Sequence, residues 1–201
     1  TESRIFINGP TGSGKELIAR KVHKQSKRNK GPFIILNAAL LDIKKYELEL
    51  FGEEKENGAI SYGALEKASG GTLLIDEISE IQLETQSKIL RVLTDQKFKR
   101  TNGNHDINVD VRIICSSTKD IKKEIELGNF REDLYHRLNV LEINVEPLNK
   151  RVSDIPLLIE YFSEKISSNY NLKKLKIDTD NQYLINYEWP GNVRELRNLI
   201  E

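Results

Sequence analysis

Methionine is absent from the 201-residue chain, residue 1 included, while cysteine and tryptophan each occur once and proline five times. A single cysteine excludes an internal disulfide framework. Its place in the apolar run Val111-Arg112-Ile113-Ile114-Cys115 predicts a packed thiol. The missing methionine is expected of a piece of a longer chain. No stretch reaches the roughly eighteen consecutive apolar residues of a spanning helix, and no signal-peptide pattern opens the chain, so a membrane is not an expected partner and the cytoplasm is the expected compartment. An excess of one charge is lacking too, with Lys+Arg 31 against Asp+Glu 31, which argues against nucleic acid as a partner of the whole surface. The local run Lys21, Lys24, Lys27, Arg28 and Lys30 reads as a solvated helix end. His23, His105 and His136 lack metal-ligand spacing and are expected at the surface.

What is present begins at Arg4–Asn8, an apolar strand running into Gly9-Pro10-Thr11-Gly12-Ser13-Gly14-Lys15-Glu16 and then a helical pattern. Glycines at 9, 12 and 14 let successive backbone N–H groups converge on phosphate oxygens. Lys15 adds a mobile charge for the β- and γ-phosphates, and the helix start contributes its positive end. The generic pattern places a magnesium-binding hydroxyl after the lysine; here that position is Glu16. A second motif, Gly70–Ile78, compensates. Thr72-Leu73-Leu74-Ile75 is uniformly apolar and suits a strand buried on both faces, and Asp76 and Glu77 follow at its exit, where open α/β sheets bind ligands. For phosphate hydrolysis, Asp76 holds Mg2+ directly or through water and Glu77 orients or deprotonates the attacking water. The pair of motifs predicts a nucleoside triphosphate with Mg2+.

Alternating strands and helices predict an α/β fold with a three-layer parallel sheet. Strands are expected at Phe33–Asn37, before Asp76 and at Val111–Ser116, with a helical stretch ending at Phe51 and a polar loop over Gly52–Tyr62. An amphipathic helix over Leu83–Thr94 turns Leu83, Ile89, Leu90 and Leu93 inward and leaves Gln86, Lys88, Arg91 and Thr94 for solvent. Asn102-Gly103 signals a hairpin within Lys97–Asp110. From Ser153 the chain turns helical, through Leu157, Leu158, Tyr161, Phe162 and Ile166, then Tyr183–Tyr187, then Asn192–Glu201 opened by an Asn192/Glu195 capping box. Residues 1–147 read as a nucleotide-binding α/β subdomain and 148–201 as a small helical lid, truncated at its C-terminal end.

These motifs together resemble the AAA+ central domain of bacterial enhancer-binding proteins, the activators of sigma-54 RNA polymerase. GPTGSGKE is similar to that family's phosphate loop, in which Glu follows the lysine. GGTLLIDEI resembles its Walker B motif, FREDLYHRLNV at Phe130–Val140 its arginine-finger segment, and WPGNVRELRNLIE its second-sensor helix. The resemblance implies a P-loop ATPase acting as a ring of six or seven copies. It implies that Arg131 and Arg137 reach the γ-phosphate of the next subunit, that Arg194 senses the γ-phosphate from the lid, and that Thr118 occupies the first-sensor position. Asn37 would hold Glu77 away from its water. Plainer readings stand beside these: Arg131 paired with Glu132 or Asp133, Arg194 with Glu195 or Asn198, and Asn37 capping the turn after its strand.

Two positions depart from the family pattern. Where most members carry a GAFTGA loop that contacts sigma-54, this chain has only Gly58-Ala59-Ile60-Ser61, too short to supply that tip. The first sensor is Thr118 instead of Asn, with one donor where an amide has two. Both departures resemble the NtrX-type branch of these response regulators. That branch implies a two-component regulator of transcription that binds DNA through a domain outside this chain. RNA polymerase with its sigma factor is the implied partner, although the short loop argues against sigma-54 contact. The alternative is a binding module in which ATP gates oligomerisation without sigma-54 remodelling. A helicase-type motor is disfavoured by Glu53, Glu54 and Glu56 where a basic, aromatic pore loop is needed.

Overall fold

The computed structural model describes residues 2–40, 43–170, 177–178 and 181–201. They fall into two compact units. One holds residues 2–8 and 16–143, the other residues 9–15 and 144–201.

The first unit is built on a five-stranded sheet in the order β2 (Phe33–Asn37), β5 (Thr72–Asp76), β8 (Arg112–Ser117), β1 (Ile5–Asn8) and β9 (Leu141–Asn144). The pairs β2–β5, β5–β8 and β1–β8 are parallel. Parallel neighbours require crossovers, and the helices supply them: α1 (Lys15–Lys24) leads from β1 to β2, α2 (Ile43–Phe51) and α3 (Ala64–Lys67) lie between β2 and β5, and α4 (Leu83–Asp95) lies between β5 and β8. Leu73, Leu74 and Ile75 point to alternating faces of β5, yet all are fully buried. Both faces of the sheet are therefore covered, which is the three-layer arrangement that the uniformly apolar run predicts. Each such side chain contributes about 1.5–3 kcal/mol by leaving water. Cys115 lies in this core, and burial drives its thiol pKa well up, so it packs as a small apolar group.

Several expectations need correction. Residues 52–62 are not a plain loop: β3 (Gly52–Glu54) and β4 (Ile60–Tyr62) form an antiparallel hairpin. Its turn is closed by Lys55 N–H to Ala59 O at 2.9 Å and Gly58 N–H to Lys55 O at 2.8 Å. Arg100 anchors it by donating to Glu54 at 3.0 Å and to Glu66 of α3 at 2.6 Å, while lying over the Tyr62 ring. The expected second hairpin is there, as β6 (Lys97–Phe98) and β7 (Ile107–Asn108), with Asn102 left-handed at φ 62. On α4 the face is rotated: Gln86 is fully buried and Leu83 is exposed, because Gln86 is recruited to satisfy backbone groups that an apolar side chain would leave bare. His23 is buried, not superficial. Its Nδ1 lies 2.9 Å from Thr72 Oγ1 and its ring packs on Phe33, so burial lowers its pKa. Arg28, read as part of a solvated helix end, instead ion-pairs with Glu2 and Asp110 at 2.5 and 2.6 Å.

Within the second unit, α7 (Asp154–Tyr170), α8 (Gln182–Ile185) and α9 (Asn192–Ile200) enclose a core of Leu148, Ile155, Ile159, Ile166, Trp189, Leu196 and Ile200. On α7 the inward residues are Ile155, Ile159, Ser163 and Ile166, whereas Leu157 and Tyr161 face solvent. The cap of α9 also differs from the expected one. Gly191 occupies the cap position, and its N–H donates to Glu195 Oε2 at 2.8 Å. Asn192 is withdrawn into the interior with φ 54.

Candidate functional site

The phosphate-loop motif, residues 9–15, groups with the helical unit. Gly12 has φ 75, and a Cβ there would fall 2.3 Å from Gly191 O, so glycine is required both by conformation and by the close approach of backbone. Gly14 has φ 104 with nothing within 4 Å of a Cβ position, so the loop opens into free space at this point. Side chains from the helical unit brace the loop. Asn192 Nδ2 donates to Thr11 O at 2.9 Å while its Oδ1 accepts from Leu148 N–H at 2.8 Å. Arg151 Nη2 donates to Ser13 O at 3.1 Å, and Arg194 N–H donates to Gly12 O at 3.3 Å. Lys15 Nζ donates to the loop's own carbonyls, Gly9 O at 2.9 Å and Pro10 O at 3.4 Å. The buried Ser13 hydroxyl has no hydrogen-bond partner among the described residues. An orphaned hydroxyl, an ammonium folded onto loop carbonyls and an open face at Gly14 form a donor set that fits phosphate oxygens. Glu16, next in the chain, spends its carboxylate on Arg20 at 2.7 Å.

The acidic motif is organised by strand register. Asn37 on β2 is the Cα partner of Asp76 on β5, and Cys115 on β8 is the partner of Ile75, so Asn37, Asp76 and Ser116 stand level across three neighbouring strands. Asn37 Nδ2 donates to Asp76 Oδ2 at 2.7 Å, and Ser116 Oγ donates to Asp76 Oδ1. Asp76 is thus fixed at both oxygens and stays half-buried at the exit of its strand. As a lone carboxylate it suits Mg2+, which is commonly held by one or two carboxylates together with substrate phosphates and waters. Glu77 then breaks the strand with a left-handed backbone, φ 56 and ψ 50, at a cost of roughly 1–2 kcal/mol for a residue with a Cβ. Its Oε2 accepts from both Thr118 N–H at 3.0 Å and Thr118 Oγ at 2.8 Å. The family reading assigns Asn37 to Glu77; in the structure the Asn37 amide nitrogen donates to Asp76. Its Oδ1 accepts from Ala39 N–H at 2.9 Å, so the plainer reading of a turn cap holds as well.

Among the three arginines, Arg131 occupies the position just before α6 (Glu132–Leu138) and makes a two-point ion pair with Asp133, Nε at 2.9 Å and Nη2 at 2.6 Å. The contact raises the Arg131 pKa and lowers that of Asp133. Arg137, in the last turn of α6, is exposed, and its carbonyl accepts from Arg4 Nη1 at 2.6 Å. Arg194 is exposed on α9, next to Gly12 through its backbone and Cβ.

Three positioning residues escaped the sequence reading. Gln86 Oε1 accepts from Arg131 N–H at 2.8 Å while its Nε2 donates to Ile81 O and Asn129 O, fixing the start of the arginine segment. Ser116 and Asn192 were read as strand and cap. A signal existed for Ser116, a hydroxyl inside an otherwise apolar buried strand. For Gln86 the signal was its place three residues from Leu83 and from Ile89 on one helix face.

A model described as the sigma-54 interaction domain matches residues 1–144, and one described as the AAA+ ATPase lid domain matches residues 149–201. The chain belongs to the sigma-54 interaction domain family. It is 48% identical over 203 residues to the nitrogen assimilation regulatory protein NtrX of Azorhizobium caulinodans, covering 100% of this chain and 45% of that protein. Crystal structures of NtrX from Brucella abortus superpose closely. The complex with ADP gives a TM-score of 0.94 at 48% identity, covering 100% of this chain and 45% of that one, and the complex with ATP gives 0.92 at 46%, with the same coverage. The chain therefore spans a little under half the length of the NtrX proteins it matches. As a sigma-54 interaction domain with an AAA+ lid, it has the P-loop NTPase fold that its motifs predict. No helix among the described residues is long and apolar enough to cross a membrane.

Proposed function

We propose that this domain binds ATP with Mg2+ and hydrolyses it, in a cytoplasmic transcriptional regulator of the two-component type. The observation that carries the reading is the phosphate loop: the buried Ser13 hydroxyl, without a hydrogen-bond partner among the described residues, and the Lys15 ammonium on the loop carbonyls form a donor set that fits phosphate oxygens. The backbone of Gly9–Gly14 and Lys15 hold the phosphates, and Arg194 approaches them from the lid. Asp76 holds Mg2+, which when bound neutralises charge on the transferring phosphate. Glu77 takes the proton of the attacking water, and Arg131 and Arg137 act on the nucleotide of the neighbouring subunit in a ring of six or seven copies. In this reading Arg131 has to leave Asp133 to serve its neighbour. Half-exposed pairs of this kind are cheap to break.

A second reading is favoured by the hairpin at 52–62. It ends in a tight turn and is anchored by Arg100, where a sigma-54 contact needs a long, reaching loop. ATP would then gate assembly, and the occupancy of DNA held by another part of the protein, without remodelling of the sigma-54 polymerase.

ATPase rate per subunit, measured against protein concentration with Glu77→Gln as blank, tests the first reading. The rate climbs with concentration, vanishes in the blank and stays flat and low for Arg131→Ala if sites are shared between subunits. A concentration-independent, near-blank rate with nucleotide still bound favours the gating reading.

A further inference from the structure

We propose that the end of the sheet where β1, β5 and β8 begin carries a second oxyanion site, formed by Arg112 and Arg28 and held shut by the Glu2 carboxylate, and that its ligand is a phosphate group. Arg112 opens β8 and is only 4% exposed, yet its guanidinium makes a single hydrogen bond, from Nε to Ser3 O at 3.1 Å. Its two Nη atoms have no partner among the described residues. Neither is sealed inside the protein, so an ion from solvent can reach them. A buried charge is costly unless an anion and hydrogen bonds compensate it, and this guanidinium has neither in full. Burial and the Arg28 charge lower the Arg112 pKa against the pull of Glu2, and the field of Arg112 reaches His23 as well.

The neighbouring Arg28 is anchored on two sides. Its Nη2 donates to Asp110 Oδ1 at 2.6 Å and its Nη1 to Asp110 O at 3.0 Å and Gly71 O at 3.5 Å, so Asp110 is its fixed counterion. Glu2 is held less firmly. Its side chain is about half-exposed and takes one bond among the described residues, from Arg28 Nε to Oε2 at 2.5 Å, which leaves the Arg112 fork unserved. A tetrahedral phosphate offers more acceptors than this tethered, planar carboxylate and can bridge two guanidinium groups. The charges balance too: two arginines against Glu2 and Asp110 sum to zero with His23 neutral, and releasing Glu2 leaves one positive charge for the incoming anion. Exchanging an exposed ion pair is cheap. All of these residues lie in the sheet unit, whereas the phosphate loop groups with the helical one.

Heteronuclear NMR on the isotope-labelled chain, titrated with inorganic phosphate at constant ionic strength, reads this site apart from the phosphate loop. Saturable shifts are expected at Ser3, Arg28, Gly71 and Arg112, with a midpoint separate from any at residues 9–15. Glu2→Gln removes the competing charge at an exposed position, and should tighten the response of Ser3 and Arg28 about fivefold. Arg112→Lys keeps the charge and removes the fork, and should weaken it about tenfold. Absence of saturable shifts at these residues in both wild type and Glu2→Gln overturns the site and leaves Arg112 as a pin for Ser3 alone. Equal phosphate affinity in wild type and Glu2→Gln contradicts the role of Glu2. Should Arg112→Lys fail to fold, the Glu2→Gln comparison still decides.

Two further titrations fix the ligand chemistry. Acetate offers a carboxylate without the third acceptor and should bind about tenfold more weakly than phosphate; equal binding contradicts the bridge between the two guanidinium groups. O-Phosphoserine separates the two sources of a phosphate group. Tighter binding than inorganic phosphate, with the same dependence on Glu2, supports the site with a phosphorylated side chain as its ligand. Tighter binding of inorganic phosphate supports it with the free ion.

Discussion

The phosphate loop and the strand-end acids are constructed in opposite ways. The loop is fixed through its backbone: Asn192, Arg151 and the Arg194 amide bond the carbonyls of Thr11, Ser13 and Gly12, and glycines supply the conformations. The acids are fixed through their side chains, with Asp76 and Glu77 each holding protein donors on carboxylate oxygens that the proposed hydrolysis needs. Backbone bracing spends the loop's carbonyls and leaves the Ser13 hydroxyl available for a ligand. Side-chain bracing occupies the reactive atoms themselves, so using them requires exchange of partners. In the proposed function the loop is a receptor ready for phosphate, and the acids are held in reserve.

If that division is right, damage to the two regions separates affinity from turnover. The largest effect is expected for Asp76→Ala, which removes the proposed Mg2+ carboxylate and strands both Asn37 and Ser116. Phosphate release should fall by about a thousandfold while affinity for nucleotide without metal stays within a few-fold. Magnesium-stimulated turnover surviving in this variant would sink the assignment. Lys15→Ala acts on the other side of the comparison. Loss of a charge-assisted contact of ~1.5–3 kcal/mol weakens ATP binding by roughly 10- to 150-fold in equilibrium titration.

Asn192→Ala sharpens the contrast within the helical unit. It leaves Leu148 N–H and Thr11 O without their partner in a buried setting, at about 1–3 kcal/mol, readable as a lower midpoint in denaturant and as weaker nucleotide binding in the same variant. An Asn192→Ala protein of unchanged stability contradicts the bracing role. The smallest effect concerns the sheet unit far from its reactive edge. His23 has its pKa lowered from 6.5 by burial, so the unfolded chain binds the proton more readily. Stability from this group is fully present above pH 6.5 and declines as pH falls through that value towards the lower folded one. His23→Asn, which preserves a polar atom near Thr72, should flatten the slope of stability between pH 7 and 5.

The difference in construction also governs what could be read from the residues alone. The loop was legible because its chemistry is local: glycine spacing, a lysine and a following helix lie within eight consecutive positions. The buried strand before Asp76 was legible for the same reason, from a run of four residues. The partners of the acids were not, since Asn37, Asp76 and Ser116 meet only through the register of three parallel strands, and register between distant segments leaves no local pattern. Gln86 and His23 were misplaced because a polar side chain on an apolar face is ordinarily read as solvent-exposed, and only the backbone carbonyls and the Thr72 hydroxyl they meet make their burial favourable. Residues 52–62 were read as a loop although Asn57-Gly58 sits in the turn at Lys55–Ala59, because the flanking strands, Gly52–Glu54 and Ile60–Tyr62, are only three residues long and carry no alternating apolar pattern. The anchoring arginine lies about forty residues downstream, beyond any local signal.

The division of labour is tested most directly by one paired measurement on Glu77→Gln: equilibrium ATP affinity and phosphate release on the same preparation. The account predicts affinity within about threefold of wild type and release reduced by about a hundredfold or more. Release at the wild-type rate, or affinity lost together with release, would contradict it.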